Sequence, residues 1–490
     1  MKQFSIPNWL TYVILLIAAF LFVFLFTCTT SPLYEHHPFW FHGDSGIFQE
    51  MGVCLAQGGT PYVDLFDHKG PILWYIQALG IWINPHWGIM ALQAIALFFA
   101  MLMWCKSTIL LVDKQILSII ISISGLLFLL AFYERGNLCE EWSLPFISFP
   151  IYLYIKRWKS IENLKSPIYS HSNAYIVGIC VGVIAMIRIN NTAPIIGFVL
   201  WHFIRCIQNK ELKRLWIDIV LISGGMVAVF FACSAFYLIK AGWNGVYEMI
   251  YGTFIFNFLY INDMGNLSLS RYLKNYVPAV GCLLISLSCF FHNKSSHNIS
   301  FPIVLSFVVT LLSIGLFGFV HYMIIFVPIL VMSIGLIIHT KTNWSYIILG
   351  IVLLHSFYLG YDAADHLLFR LRGKQANTEL NDGFHRFVTS ITPEERRSIY
   401  NAGLNHMGAG LFADENLYQC NRIIYSGHSD LSPHLQEFVK NHGVNELQPI
   451  WVLTQSPRPE ATDEYMRTHY TLSDSIPGGE FDPIWCWKKL

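Results

Sequence analysis

About eleven long apolar runs interrupt the first 360 residues, and they leave the chain little choice but a helical bundle crossing a bilayer. A helix needs about 20 apolar residues to cross, with about 17–25 usual, and it satisfies its own backbone in hydrocarbon. Runs of this kind lie near 9–28, 87–105, 115–132, 142–156, 174–189, 192–205, 216–239, 277–292, 301–318, 321–338 and 344–360. Several are short, and 174–205 reads as a tight helical hairpin broken at Asn190-Asn191-Thr192-Ala193-Pro194. Composition points the same way: 54% of the chain is hydrophobic and 13% charged, where a soluble domain carries about 25% charged residues. The net charge of zero gives no argument for a nucleic-acid partner. Residues 10–28 follow Lys2 as a signal sequence would, but no small-x-small cleavage site follows. A retained first helix is therefore expected.

The run Pro71–Asn84 sets the topology. It is only about 13 residues long, short for a crossing. Counting it as a span would put Lys106 and Lys114 outside. Laying it in the outer interface, where Trp74, Tyr75 and Trp82 belong, keeps Lys2, Lys106, Lys114, Lys156, Arg157, Lys159, Lys210 and Lys213 inside and satisfies the positive-inside rule. The expectation is eleven spans with a cytoplasmic N-terminus and an outer C-terminus. Residues 1–360 form the transmembrane module, 361–394 a stalk, and 395–490 a small outer α/β domain. In that domain RSIYNAG, RIIYSG, PIWVLTQ and PIWCWKK read as strands and PHLQEFVKNHG as an amphipathic helix. His406, His428 and His434 read as scattered surface residues.

Eleven cysteines are present, most in apolar runs where a thiol is a small core group. No CxxC or Cys/His metal spacing appears in the sequence. Cys420 and Cys486 share the C-terminal domain, and their pairing is left open by the sequence.

Three outer loops result: 29–86, 133–141 and 240–276. The first concentrates Glu35, Asp44, Glu50, Asp64 and Asp67 but a single cation, Lys69. Carboxylates and one cation just above a bilayer look like a reaction site fed from the lipid phase. The third is rich in aromatics and ends on Arg271 and Lys274, as an interfacial helix or a lid over a lipid groove would be.

The segment GDSGIFQEMGVCLAQGGTPYVDLFDHKGPILWYIQALG resembles the first outer loop of GT-C class glycosyltransferases, nearest the branch of protein mannosyltransferases and lipid A aminoarabinose transferases. Asp44, the GGTPYVD run and Lys69-Gly70-Pro71 occupy the places of that family's acidic residue, G-x-P-Y-x-D turn and Lys-Pro-Pro. Gly70 departs from the usual Pro. GNLCEEWSLP, IRINNTAPIIG and GFVHYMIIFVPIL are similar to the family's acidic second loop, Arg-bearing hairpin and His-Tyr span. The resemblance implies transfer of a sugar from a polyprenyl-phosphate carrier to a glycan, lipid or protein acceptor on the outer face, in a bacterial inner membrane. It implies a polytopic α-helical GT-C-like fold.

Such a donor leaves as a phosphate anion, so no general acid is needed, unlike the paired carboxylates of glycosidases. One carboxylate must take the acceptor proton, and cations must hold the phosphate. Asp44 is the candidate base; a helix N-cap is its structural alternative. Lys69 is the candidate phosphate ligand, or else a lysine snorkelling to ordinary lipid. His68, Arg188 and His321 are further phosphate-binding candidates, and Asp67, Glu140, Glu141 and Tyr322 substrate-binding ones. Arg188 within a span needs a partner, either structural or the carrier phosphate. No metal or other cofactor is expected to be required. A transporter or flippase would carry charges along a central path, often with repeated halves. A glycan polymerase would concentrate Arg in a large middle loop. Neither pattern is visible in this sequence.

Overall fold

The computed structural model describes residues 6–27, 43–160, 170–263, 269–292, 297–314, 319–341, 343–371, 378–455, 464–478 and 482–490, apart from the side chains of 260–263, 269–275, 362–363, 366, 368–371, 378 and 441. Glu35 lies outside this set, as do the side chains of Arg271 and Lys274. Among the described residues six helices are long and apolar enough to cross a membrane: Asn8–Phe26, Gly88–Val112, Leu212–Leu259, His297–Ile314, Val320–Thr340 and Asn343–Tyr361. Shorter apolar helices cover Pro71–Ile83, Gln115–Leu130, His171–Ala185 and Tyr276–His292. The chain divides into two compact units.

The first unit comprises Met1–Phe26, Gln93–Ala232 and Gly265–Leu368. It is a bundle whose helices approach closely at small residues and are joined by side-chain hydrogen bonds, as hydrocarbon-facing helices require. A Cβ on Gly197 would lie 2.3 Å from the Ser306 backbone, so helices Ala193–Gln208 and His297–Ile314 meet backbone to backbone. The Ser306 hydroxyl donates to the Pro194 carbonyl at 2.7 Å. The Trp104 indole donates to Ser148 at 2.8 Å, and Tyr154 donates to the Asn298 carbonyl at 2.6 Å. Where the hairpin was expected, the chain forms helix His171–Ala185, a 3₁₀ turn at Ile189–Thr192, then helix Ala193–Gln208. Pro194 in the first turn of the last helix supplies a backbone that lacks only a donor already orphaned there.

The second unit comprises Thr27–Leu92, Cys233–Met264 and Phe369–Leu490. Helix Gly43–Ala56 lies against helix Pro71–Ile83 so closely that a Cβ on Gly52 would fall 2.4 Å from Gln77 Cβ. A four-stranded sheet closes its C-terminal part: β1 (Ile399–Ala402), β2 (Trp451–Thr454), β3 (Tyr470–Ile476) and β4 (Ile484–Lys489), in the order β1-β2-β4-β3. β1 and β2 are parallel, with Ile399 opposite Trp451. β2 and β3 both run antiparallel to β4. Leu380, Phe384 and Phe387 of helix Thr378–Ser390 join Ile399, Trp451 and Ile484 in its core, so that core begins before residue 395.

Two sequence expectations need correction here. RIIYSG is not a strand: helix Ser426–Asp430 begins within it, and Ile423 makes only an isolated bridge to Phe66. The strand Tyr470–Ile476 was not anticipated, because five of its seven side chains are exposed and no apolar alternation marks it. Cys420 and Cys486 are both free thiols, Cys486 inside the sheet core.

Candidate functional site

In the second unit, the loop 59–70 is folded onto itself before helix Pro71–Ile83 begins. Tyr62, fully buried, donates its hydroxyl to the Lys69 carbonyl at 2.5 Å. The Asp67 carboxylate accepts from the Lys69 backbone N–H at 3.3 Å. Phe66 donates its N–H to the Arg422 carbonyl at 2.7 Å, and Asn257 caps the His68 carbonyl at 3.0 Å. These bonds fix three consecutive side chains, all buried: Asp67, His68 and Lys69.

The chemistry of the trio follows from donor counting. Lys69 Nζ lies 2.7 Å from His68 Nε2. An ammonium only donates, so Nε2 accepts and the ring proton sits on Nδ1, which faces Asp67 at 3.4 Å. His68 is thereby held in one orientation between the Asp67 carboxylate and the Lys69 ammonium. Burial alone would raise the Asp67 carboxyl. Lys69 and His68, with a smaller share from His428, outweigh it and hold the group well below the usual carboxylate range. Lys69 is not a lysine on a solvated stem: its ammonium is buried over the Phe48 ring, 5.6 Å from the centroid.

Asp44 stands in the first turn of helix Gly43–Ala56, half-buried. Gly43, with φ of +48° and nothing near its missing Cβ, turns the chain into that helix. A carboxylate there faces the positive end of the helix dipole. Asp44 and Phe48 are four residues apart and share one helix face, so the base candidate and the lysine candidate address the same side of this helix.

His428 was assigned to the surface by sequence, and the structure corrects this. It is buried, its ring 4.9 Å from that of His68 and 5.2 Å from Phe256. Burial first, with smaller contributions from its neighbours His68 and Lys69, pushes its pKa down to about 3. Ligand atoms of Asp67, His68 and His428 lie within 4.8 Å of one another, close enough to share a metal ion. Behind them Arg422 pairs with Glu248, its guanidinium 4.4 Å from the Phe438 ring centroid. His434 also meets Glu248, at 3.0 Å, rather than standing free on the surface. No local motif links residues near 68 to residues near 428, so sequence had no signal for this group.

In the first unit a second cluster gathers the other candidates. Arg188 is paired with Glu140 at 2.6 Å and lies over the Tyr322 ring, 4.1 Å from its centroid. His321 meets Glu134. Glu141 accepts hydrogen bonds from Tyr133 at 2.8 Å, Gln93 at 3.0 Å and the Asn137 N–H at 2.9 Å. Its role is visible in the backbone it holds. Glu134, Arg135, Gly136 and Asn137 have φ of 33°, 80°, 81° and 57°, a left-handed run that non-glycine residues adopt only when surroundings enforce it.

The membrane-length helices and apolar bundle define an integral membrane protein. No protein-family model matches the sequence, and no curated protein matches it. Two solved structures do share its fold: ArnT from Cupriavidus metallidurans bound to undecaprenyl phosphate, with a TM-score of 0.56, 14% identity and 98% of each chain covered, and the same protein in the apo state, with a TM-score of 0.56 and 12% identity over 98% of each chain. The chain therefore has a GT-C-like fold, in keeping with the resemblance read from its loops.

Proposed function

We propose that this protein is a membrane glycosyltransferase that takes a sugar from a polyprenyl-phosphate carrier and places it on an acceptor hydroxyl at the outer face. The ArnT structure of the same fold holds undecaprenyl phosphate, which makes that carrier the first to test. The observation that carries the reading is the buried Asp67–His68–Lys69 trio, with its cation over Phe48 one helical turn from Asp44.

The Asp44 carboxylate takes the acceptor proton as the new C–O bond forms. The bond from the anomeric carbon to the phosphate oxygen breaks, and its electron pair leaves on the phosphate. Attack opposite that leaving group inverts the anomeric carbon. Lys69 holds the growing phosphate charge; its low-dielectric setting makes a fixed cation more effective there than in water. His68 and Asp67 keep the ammonium oriented. Arg188 and His321 are assigned to phosphate as well, each aimed by a carboxylate partner, Glu140 and Glu134. Tyr322 presents a ring face to Arg188 and to substrate, and Glu141 shapes the second loop. The topology that goes with this reading has eleven spans, a cytoplasmic N-terminus and an outer C-terminus, in a bacterial inner membrane.

Purified full-length protein incubated with a panel of undecaprenyl-phosphate sugars and candidate acceptors should release undecaprenyl phosphate with at least one pair. Asp44→Asn should bind donor and stop that release. Wild-type release from Asp44→Asn removes the base assignment. Passage of intact carrier-linked sugar across a vesicle, with no release, would make the protein a transporter instead.

A further inference from the structure

We propose that the bundle unit carries a structural zinc-class metal site built by His171, His202, Cys206 and Asp218, none of them among the residues assigned to the reaction. His202 and Cys206 are one turn apart on helix Ala193–Gln208, so both leave the same face. Helix Leu212–Ile250 presents Asp218 to that face, and helix His171–Ala185 begins with His171 beside it.

The donor atoms converge. Asp218 Oδ2 lies 3.0 Å from His202 Nε2, and Asp218 Oδ1 lies 2.8 Å from His171 Nδ1. Cys206 Sγ lies 3.9 Å from His202 Nε2, the same nitrogen that faces the carboxylate. The ligand atoms of His202, Cys206 and Asp218 all fall within 4.8 Å of one another. Tetrahedral zinc, with bonds of about 2.0–2.3 Å, holds its ligand atoms roughly 3.3–3.8 Å apart. Small side-chain rotations that open the two short contacts would meet that requirement.

The side chains of His202 and Asp218 have no solvent exposure, while that of His171 is 49% exposed, which gives the site a closed interior and one side open for entry. Arg214 Nε donates to Asp218 Oδ2 at 3.1 Å, an outer partner that orients the carboxylate. Arg214 and His171 meet Asp218 from outside, while the Cys206 sulfur and the His202 nitrogen face one point beside the carboxylate, where a shared cation would meet all three. Two imidazoles, a thiolate and a carboxylate are all zinc ligands and would fill its four tetrahedral positions. Loading displaces the Cys206 thiol proton to solvent and leaves the His202 ring proton on Nδ1. The ion would tie three helix ends together, at the end of the bundle that carries Arg205, Lys210 and Lys213, which the positive-inside count assigns to the cytoplasm.

Cobalt(II) substitution tests the site, because a thiolate marks its spectrum. The full-length protein, purified in detergent without chelator and loaded with Co²⁺, should show a sulfur-to-cobalt charge-transfer band in the near ultraviolet. Strong tetrahedral visible bands should accompany it. Cys206→Ser should abolish the charge-transfer band. It should also weaken zinc binding by more than the ~10–100-fold typical of losing an outer partner. The Asp67–His68–His428 group has no sulfur, so His68→Ala should leave the band intact. EDTA should lower the melting temperature of the wild type but not of Cys206→Ser. Absence of the band in the wild-type protein overturns the proposal whether or not the variants fold, and so does a band that survives Cys206→Ser.

Discussion

Glu50 shows how far one buried atom can shape a protein of this kind. It points from helix Gly43–Ala56 into the second unit and accepts the Gln419 N–H at 3.0 Å through Oε1, while Oε2 is buried without a partner among the described residues. Burial raises its pKa from the usual 4.5 to about 8, only partly countered by the Gln419 bond. The folded protein thus holds a proton that the unfolded chain releases above about 4.5. Stability from this group is complete below that pH and declines as pH rises toward 8. Glu50→Gln keeps the acceptor and removes the ionisation, so its melting temperature should exceed wild type at pH 8 and match it near pH 4. A tenfold change in proton affinity is about 1.4 kcal/mol, so the gain at pH 8 should reach a few kcal/mol. Identical pH profiles would show that Glu50 is solvated. At Lys69 the expectation is functional. A hydrogen bond to a charged group contributes about 1.5–3 kcal/mol, so Lys69→Ala should raise the donor concentration for half-maximal rate by roughly 10–150-fold. The acceptor requirement should barely change. Unaltered donor dependence would strike Lys69 from the phosphate site.

At the scale of elements, close backbone approach positions the loop that carries the trio. Gly252 lies in the π-helical turn Tyr251–Ile255, and a Cβ there would fall 2.6 Å from Tyr62 Cδ1. Tyr62 is buried against Trp74 and Tyr237, so its ring cannot yield. Gly252→Ala should cost roughly 1–3 kcal/mol of stability, in the range of overpacked cores. Gly224→Ala is the control: nothing lies within 4 Å of that site, and alanine there should be neutral or favourable by up to about 1 kcal/mol. Equal melting temperatures for the two variants would mean that the Tyr62 contact does not constrain the loop. Elements with strong periodicity or long apolar runs were legible beforehand: the hairpin at 174–205, helix Pro433–Asn441 and the strands around Trp451 and Trp485. RIIYSG misled because β-branched residues favour strands wherever they occur, whereas here they cover a loop against Phe66. The pair His202 and Cys206 carries no signal in the sequence for a related reason. A helical i, i+4 pair is unremarkable until Asp218 and His171 are seen to face it.

For the whole molecule, the topology carries a direct consequence. Single cysteines introduced near residue 60 and near residue 445 should react with a membrane-impermeant maleimide in intact spheroplasts. One at Lys210 should react only after the membrane is opened. Reaction at Lys210 from outside would invert the proposed orientation. Sequence alone settled the class of solution here, since apolar runs of membrane length admit little but a helical bundle, and the ordered loop motifs pointed to the GT-C-like fold. It also drew Asp44, Lys69 and Arg188 out of the background, because charge beside or inside hydrocarbon is costly enough to be conspicuous. Folding alone decided what those charges touch. Arg188 found Glu140, Lys69 found His68, and His428 came to lie beside a residue 360 positions earlier. Hydrophobicity is a property each segment carries by itself, whereas a pairing exists only once distant segments are brought within a few ångströms.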